Sequence, residues 1–366
     1  MSVSGTYFLY YFIVISTSVT VFISEFLGYS KTQKTSKFIF GLAILIPVII
    51  AGYRFGVGTD YFSYEKIYYN LTNNYLNVFE LISNYRYEPG WILLNVFVKY
   101  VFNDVKYVFI VSALLTWSIF FKAIYNQRNY ISTSIAVLIL LCTLFNISLN
   151  TVRQTLALSI IFLSITPLLN RSLFRFIIYV LLASCFHYTS LIFLPVYWIV
   201  NSKGQKIGLL KKSVAPLIFV LFIVFIDPIL SLVSSFDLFS AYASYDVEGE
   251  NFSFGALILR LPVILIVLLH IRKLRIKSNP ITKIVILYFL GIILLHLGYF
   301  GPYIGRVAQF FEISQVLLIG AIIKEMDNKT ERLLYSYAII IYYLGWLTYH
   351  YLYLGRQGTI PYDWMF

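Results

Sequence analysis

Long apolar runs, separated by short polar loops, make up most of the chain. A helix that crosses a bilayer needs roughly 17–25 mostly apolar residues, because about 30 Å of hydrocarbon must be spanned. Charged residues make up 12% of the chain, whereas a soluble domain carries about 25%. We therefore predict an all-α polytopic protein with one integral membrane domain over residues 1–366. Twelve runs reach or approach the required length, near 7–27, 38–53, 105–125, 131–150, 154–170, 174–187, 188–200, 214–235, 255–271, 281–300, 305–323 and 333–354.

Several runs need separate interpretation. The pair 174–187 and 188–200 is short for two crossings, so one long helix or two half-helices are alternatives. The apolar stretch 91–103 is predicted to be interfacial or re-entrant. The first run lacks a basic flank and a small-residue cleavage site, so we expect it to be retained as a span. Both cysteines lie inside apolar runs, which is typical of buried small side chains and not of a disulfide or metal site.

The positive charge is distributed unevenly between loops. A net charge of +12 could indicate a nucleic-acid partner, but lysine and arginine in membrane proteins collect in cytoplasmic loops. Nineteen of the 28 basic residues occupy alternate loops, which predicts that these loops are cytoplasmic and that both termini are outside. These loops are 31–37, 122–128, 171–175, 203–212, 272–283 and 324–332.

Arginines stand out among the basic residues on the predicted outer side. Arginine at a span boundary is costly unless an anionic group pairs with it. Four of these arginines are predicted to lie at one depth, and a guanidinium group can bind two phosphate oxygens at once. They therefore predict a diphosphate site, although each could instead reach lipid headgroups. The four are Arg54, Arg153, Arg260 and Arg306.

Two predicted outer loops are long. Segment 54–104 contains amphipathic stretches at 64–71 and 78–85, which predict helices lying on the membrane surface. Segment 236–254 is acidic and is predicted to form a solvated cap or lid. Its acidic residues are Asp237, Asp246, Glu248 and Glu250.

The densest polar segment follows the second run, where Gly56 and Gly58 predict a tight turn. Asp60 could serve chemistry, bond its own turn or cap the next helix. Glu88 closes the long loop, and His187 lies in a polar group at the outer end of a span. A lone histidine is either a general base or a structural hydrogen-bonding group. No P-loop, HExxH, GxSxG or CxxC motif occurs, so no metal or cofactor is predicted.

These residues resemble the EpsG-like branch of the Wzy polysaccharide polymerases over nearly the whole chain. The Gly-Thr-Asp-Tyr turn after Arg54, with Glu-Pro-Gly further on, is the most specific part of the resemblance. The matching segments are Arg54, Val57 to Tyr61, Tyr64, Glu88-Pro89-Gly90, Arg153-Gln154, His187-x-x-Ser190, Arg306 and Pro361-Tyr362.

The resemblance implies a bacterial inner-membrane enzyme that lengthens O-antigen, capsular or exopolysaccharide chains at the periplasmic face. It would transfer a glycan from one undecaprenyl-diphosphate carrier to the non-reducing end of another carrier-linked repeat unit. The fold would be a GT-C-like arrangement of about 12 spans with amphipathic helices in the outer loop. The expected partners are the lipid-linked glycan, the bilayer and, as a candidate, a chain-length regulator.

Site roles follow from this hypothesis. Arg54, Arg153 and Arg306, with Arg260 as a fourth candidate, would hold the diphosphate and stabilise the charge on the leaving group. Either Asp60 or His187 would accept the proton of the attacking hydroxyl, with Glu88 as a second candidate base or sugar ligand. The predicted glycan contacts are Tyr61, Tyr64, Gln154 and Ser190.

Two other functions compete with a polymerase. A flippase for the same lipid-linked glycan would need charges along a path through both leaflets, whereas the unusual charges here concentrate at one face. A membrane acyltransferase would need a catalytic histidine, often reached from the cytoplasmic side. The histidine nearest that side, His270, lies beside the basic loop and has no polar cluster around it.

Overall fold

The computed structural model describes residues 1–28, 33–73, 77–85, 87–201, 254–277, 279–297 and 302–365. Within these ranges all regular secondary structure is helical, and one isolated bridge pairs Arg54 with Trp364. The predicted span 214–235, the loop 203–212 and the acidic loop up to residue 253 lie outside the described residues.

Within each described range the helices follow one another with short connections. In the part of the chain that the structure describes, three 3₁₀ segments (Tyr188–Phe193, Pro280–Ile284, Arg356–Gly358) and one π-helical turn (Thr348–Tyr353) separate or extend them. The α-helices are α1 (Val3–Gly28), α2 (Gln33–Leu42), α3 (Leu45–Gly52), α4 (Tyr61–Thr72), α5 (Val78–Asn84), α6 (Pro89–Phe102), α7 (Lys106–Asn126), α8 (Thr133–Asn150), α9 (Val152–Leu169), α10 (Leu173–Ser184), α11 (Val196–Asn201), α12 (Phe254–Ile276), α13 (Val285–Leu297), α14 (Pro302–Glu312), α15 (Ser314–Lys324) and α16 (Lys329–Leu347).

The described residues contain six stretches that are long and apolar enough to cross a membrane. The protein is therefore a helical membrane protein, as predicted, while the count of twelve stays a prediction. Helices α8 and α9 are the most enclosed, with 89% and 83% of their apolar windows buried, against 39% for α1. The bundle therefore has α8 and α9 at its centre, and α1 presents much of its surface outward. The six are Val3–Gly28, Gln33–Gly52, Lys106–Asn126, Thr133–Asn150, Val152–Leu169 and Ile304–Lys324.

The predicted cytoplasmic loops that the structure describes meet at one end of the bundle, here called the basic end. Lys324 Nζ donates to the carbonyl of Arg128 at 2.6 Å, and Lys283 Nζ donates to the carbonyl of Leu169 at 3.2 Å. Lys277 forms an ion pair with Glu325 at 3.5 Å. The opposite end, where α8 gives way to α9, is called the site end.

The short pair 174–187 and 188–200 forms two antiparallel segments joined at the site end. Helix α10 begins at the basic end and the chain turns at His187. The following 3₁₀ segment and α11 return to the basic end, where Asn201 Nδ2 donates to the carbonyl of Leu168 at 2.9 Å. The chain therefore passes along the bundle twice here and does not form one long helix.

The long segment 54–104 remains at the site end. Both amphipathic stretches are helical, in α4 and α5, and a capping box between Asn77 and Glu80 fixes the start of α5. The stretch 91–103 forms most of α6. Gly90 is needed for packing, because a Cβ there would lie 2.7 Å from the carbonyl oxygen of Cys185. That these helices lie on a membrane surface stays a prediction.

Candidate active site

Glu88, Arg153 and His187 come from three separate segments and meet at the site end; we call them the Glu88 cluster. Glu88 precedes α6 and its side chain is 2% exposed. Its Oε2 accepts a hydrogen bond from Arg153 Nη1 at 2.6 Å, and its Oε1 lies 3.2 Å from His187 Nδ1. One buried carboxyl group thus holds a guanidinium with one oxygen and an imidazole with the other.

The carboxyl group of this cluster is ionised. Burial alone would raise the pKa of Glu88, but the charge of Arg153 and the hydrogen bond from His187 outweigh burial, so the pKa lies below its ordinary value. A carboxylate only accepts hydrogen bonds, so the facing Nδ1 of His187 carries the proton. In the neutral imidazole the other ring nitrogen, Nε2, is then the acceptor, and this tautomer is the one that a general base requires.

Further polar groups surround the cluster. The phenol of Tyr64 interacts with the guanidinium of Arg153, and burial raises the pKa of Tyr64. The ring of Tyr87 lies 5.6 Å from that guanidinium. Ser190 is fully buried three residues after His187, and its Oγ has no hydrogen-bond partner among the described residues. The side chain of Arg153 is 26% exposed, so the cluster can be reached from outside.

The turn after α3 is held by Arg54, which is 2% exposed. Its guanidinium donates to the main-chain carbonyls of Ala51, Val57 and Leu149, the last at 3.0 Å. The ring of Phe109 lies 4.7 Å from the guanidinium carbon. The diphosphate role of Arg54 stays a prediction, while its contacts show that it ties the turn to the end of α8.

Asn150 joins this turn to the C-terminal segment. Its Oδ1 accepts from Asp60 N and Thr59 Oγ1, both at 2.8 Å, and its Nδ2 donates to Gln357 Oε1 at 2.8 Å. Asp60 precedes α4 without a side-chain capping bond, so the capping alternative does not describe its side chain here. Its carboxyl group is half-buried and contributes to the raised pKa of Tyr64, which lies one turn further along α4.

The C-terminal segment completes the site end. Phe55 N donates to the carbonyl of Asp363 at 2.9 Å, and Gly58 N donates to the carbonyl of Gly358 at 3.0 Å. Tyr362 is fully buried, and its hydroxyl donates to the carbonyl of Ile50. The motif Pro361-Tyr362 therefore marks a segment that packs under the Arg54 turn.

Gln154 connects the neighbouring helices α9 and α14. It is buried, and its Nε2 donates to the carbonyl of Arg306 at 3.0 Å and to Gln309 Oε1 at 3.2 Å. Arg306 is half-buried and lies on α14, whereas Arg153 directly precedes Gln154 in α9. Three predicted site residues are thereby brought together.

Tyr61 is buried between α4 and α7. It is 3% exposed and its ring stacks on Phe109 with 4.4 Å between centroids. Burial raises the pKa of Tyr61 to about 12. Tyr61 therefore packs α4 on α7, and its role as a glycan contact stays a prediction, as does that of the buried Tyr64.

A cavity of about 630 Å³ lies between α8 and helices α12 to α16. Arg260 lines it and forms an ion pair with Glu312, with 2.6 Å between Nε and Oε1. The ring of Trp346 lies 5.1 Å from the guanidinium carbon of Arg260. Gln309 lines the cavity and also contacts Gln154, so the cavity and the Glu88 cluster adjoin at the start of α9.

Sequence reasoning did not single out Asn150, Glu312, Trp346, Gln315 or Gln357. Glu312 carried a usable signal, because an acidic residue inside an apolar run is rare and marks a functional or paired group. Arg260 lies inside another run and was an available partner. Among the described residues, no group of three or more His, Cys, Asp or Glu side chains is placed to hold a metal ion.

The model of the EpsG family matches residues 37–364. The chain belongs to the EpsG family. Its members are polysaccharide-polymerase-like membrane proteins, associated with glycosyltransferase-like polymerase activity. The match includes the Arg54 turn, the Glu88 cluster, α14 and most of the C-terminal segment. No curated protein and no solved structure matches the chain.

Proposed function

We propose that this EpsG-family protein is a polymerase that joins undecaprenyl-diphosphate-linked oligosaccharide repeat units into O-antigen, capsular or exopolysaccharide. The Glu88 cluster carries the proposal. The carboxylate of Glu88 contacts both the imidazole of His187 and the guanidinium of Arg153. Glycosyl transfer with a diphosphate leaving group needs these two kinds of group, a base for the acceptor hydroxyl and a cation for the diphosphate.

In the proposed reaction, the acceptor hydroxyl gives its proton to Nε2 of His187 as its oxygen bonds to the anomeric carbon of the donor sugar. The bond between that carbon and the diphosphate oxygen breaks, and the electron pair leaves with undecaprenyl diphosphate. Glu88 stabilises the imidazolium that forms, because its carboxylate already accepts from Nδ1. Asp60 is the alternative base.

Arg153 and Arg306 are the proposed ligands of the leaving diphosphate. A guanidinium carries five N–H donors, so the bond from Arg153 to Glu88 is compatible with a phosphate ligand. We assign Arg54 a positioning role, because its donors point at main-chain carbonyls. Arg260 is assigned elsewhere, because Glu312 pairs with it on both carboxylate oxygens.

We also propose twelve crossings in the GT-C-like arrangement that the family resemblance implies. The described helices support this count by alternating between the two ends of the bundle. Asn201 contacts Leu168 at the basic end, whereas Gly255 lines the cavity with Arg356 towards the site end. The predicted run 214–235 would supply the crossing between them.

We propose that the basic end faces the cytoplasm of a bacterial inner membrane and that the site end faces the periplasm. The clustering of Lys277, Lys283 and Lys324 supports this orientation through the positive-inside rule. A substrate flipped to the outer leaflet would then reach the Glu88 cluster.

A deletion strain tests the function. A polymerase loss leaves single-repeat lipid-linked glycan in the periplasmic leaflet, whereas accumulation in the cytoplasmic leaflet would indicate a flippase and contradict the proposal. Complementation with His187→Gln should lower polymer formation by at least about 100-fold, while His270→Gln is the matched control. Asp60→Ala and His187→Ala cells that both retain long-chain polymer would refute the base assignment.

A further inference from the structure

We propose that the cavity around Arg260 and Glu312 is a glycan subsite, which binds a neutral, hydroxyl-rich sugar ring of the repeat unit next to the reacting sugar. The inference rests on the proposed function, because it assigns the cavity a part of the same substrate. A volume of about 630 Å³ lies within the range of roughly 300–1,000 Å³ that small-molecule sites occupy.

The charge of the cavity favours a neutral ligand over a diphosphate. Arg260 and Glu312 are each 13% exposed and contact each other at 2.6 Å and 3.4 Å. The pair as a unit carries no net charge, and a phosphate near it would meet the carboxylate as well as the guanidinium. The other arginine of the lining, Arg356, is exposed on the C-terminal segment.

Three glutamines of the lining have fixed orientations. The side-chain oxygen of each accepts a hydrogen bond from the protein: Gln309 from Gln154, Gln315 from the Tyr343 hydroxyl, and Gln357 from Asn150. An amide whose oxygen is bonded presents its two N–H groups as donors. The cavity wall therefore carries oriented neutral donors, which suit sugar hydroxyl and ring oxygens.

The same wall supplies acceptors and an apolar face. The carboxylate of Glu312 accepts hydrogen bonds from hydroxyl groups. Nε2 of His350 is buried in the lining without a hydrogen-bond partner among the described residues, and a buried polar atom of this kind costs free energy until a partner arrives. The half-buried ring of Trp346 offers the aromatic surface on which the C–H face of a sugar packs.

The position of the cavity sets which part of the glycan it binds. Gln309 contacts Gln154, and Gln154 directly follows Arg153 of the Glu88 cluster. A glycan whose reacting sugar lies at His187 can therefore extend its next residue past the start of α9 into the cavity. The subsite would select repeat units by their sugar and leave the bond-forming chemistry unchanged.

Purified full-length protein in lipid nanodiscs tests the subsite by calorimetry. The ligands are the free repeat-unit oligosaccharide, released from its lipid carrier, and inorganic diphosphate. Wild-type protein should bind the oligosaccharide, and Gln315→Met and Gln309→Met should each weaken binding about three- to tenfold through one lost neutral hydrogen bond. Gln127→Met is the matched control, because Gln127 is a buried glutamine bonded to Thr166 in another part of the bundle.

In the polymerisation assay the two cavity variants should raise KM with little change in kcat, as expected when ground-state and transition-state binding fall together. If wild-type protein does not bind the oligosaccharide, the subsite proposal is wrong whatever the variants show. Diphosphate binding that the cavity variants abolish and Arg153→Lys leaves intact would show an anion site instead. If the protein binds the oligosaccharide in a manner that depends on Gln315 but polymerises nothing, the subsite is supported and the polymerase function is refuted. If both variants polymerise with an unchanged KM, the polymerase function is supported and the subsite is refuted.

Discussion

The substitution Glu88→Gln separates an orienting role of this carboxyl group from a purely structural one. Glutamine keeps the size and one accepting oxygen, but it replaces the other oxygen with an N–H donor. If that donor faces His187, the imidazole must accept at Nδ1 and carries its proton on Nε2. Nε2 of His187 would then carry a proton and could not accept one from the acceptor hydroxyl, while the shape of the site would change little.

Two magnitudes follow from the geometry. A base in the wrong tautomer loses most of its contribution, so kcat should fall by about 10²–10⁴-fold. Glu88 is 2% exposed and lies 2.6 Å from Arg153, and breaking a buried ion pair costs about 3–5 kcal/mol. Because Arg153 is 26% exposed and water can reach it, we expect the lower end, about 3 kcal/mol.

The assay is polymerisation of purified lipid-linked repeat units, with thermal unfolding of the same samples. The matched control is Glu331→Gln, which changes an exposed glutamate in the first turn of α16 and should leave kcat and unfolding unchanged. A Glu88→Gln protein that unfolds at a lower temperature but keeps a tenth or more of the wild-type kcat would show a structural carboxylate only, and the orienting argument would be wrong.

Two further predictions concern stability. The folded-state pKa of Glu88 is lowered, so the stabilisation that its carboxylate provides is present above the ordinary pKa of 4.5 and is lost as pH falls through the lower folded-state pKa. The unfolding temperature of wild-type protein should therefore approach that of Glu88→Gln in acid. A difference in unfolding temperature that stays constant down to the lowest pH would contradict the ion-pair assignment. Gly58→Ala should destabilise the folded protein by about 1–3 kcal/mol from backbone strain alone, because φ of Gly58 is +97° and a Cβ would lie 2.8 Å from the Leu149 carbonyl oxygen. The control is Gly345→Ala, where a Cβ meets nothing within 4 Å. This control should be neutral or stabilising in the same thermal-unfolding assay.

The sequence predicted the class of fold because hydrophobic length and charge distribution act locally. Apolar runs define helices without reference to their neighbours, and the alternate basic loops that the structure describes meet at one end. The helical pair at 174–200 was left open because its segments are short, and a 3₁₀ segment gains length with fewer residues. Run length alone does not carry that information.

The four arginines show where such prediction ends. They look alike in sequence, but the partners of three of them differ: main-chain carbonyls for Arg54, Glu88 for Arg153 and Glu312 for Arg260. The carbonyl of Leu149 has no side-chain signature, and Glu88 is 65 residues from Arg153. The sequence therefore located the polar end of the bundle, and only the packing shows which groups each of these three arginines contacts.

Two consecutive residues at the start of α9 explain why chemistry and recognition can share one site end. Arg153 bonds Glu88, and Gln154 bonds α14 and the wall of the cavity. Neighbouring residues of a helix point about 100° apart, so the two side chains serve different surfaces from one short piece of backbone. A glycan spanning both surfaces would be aligned by the cavity while its reactive end meets His187, and a shift of α9 would change binding and catalysis together.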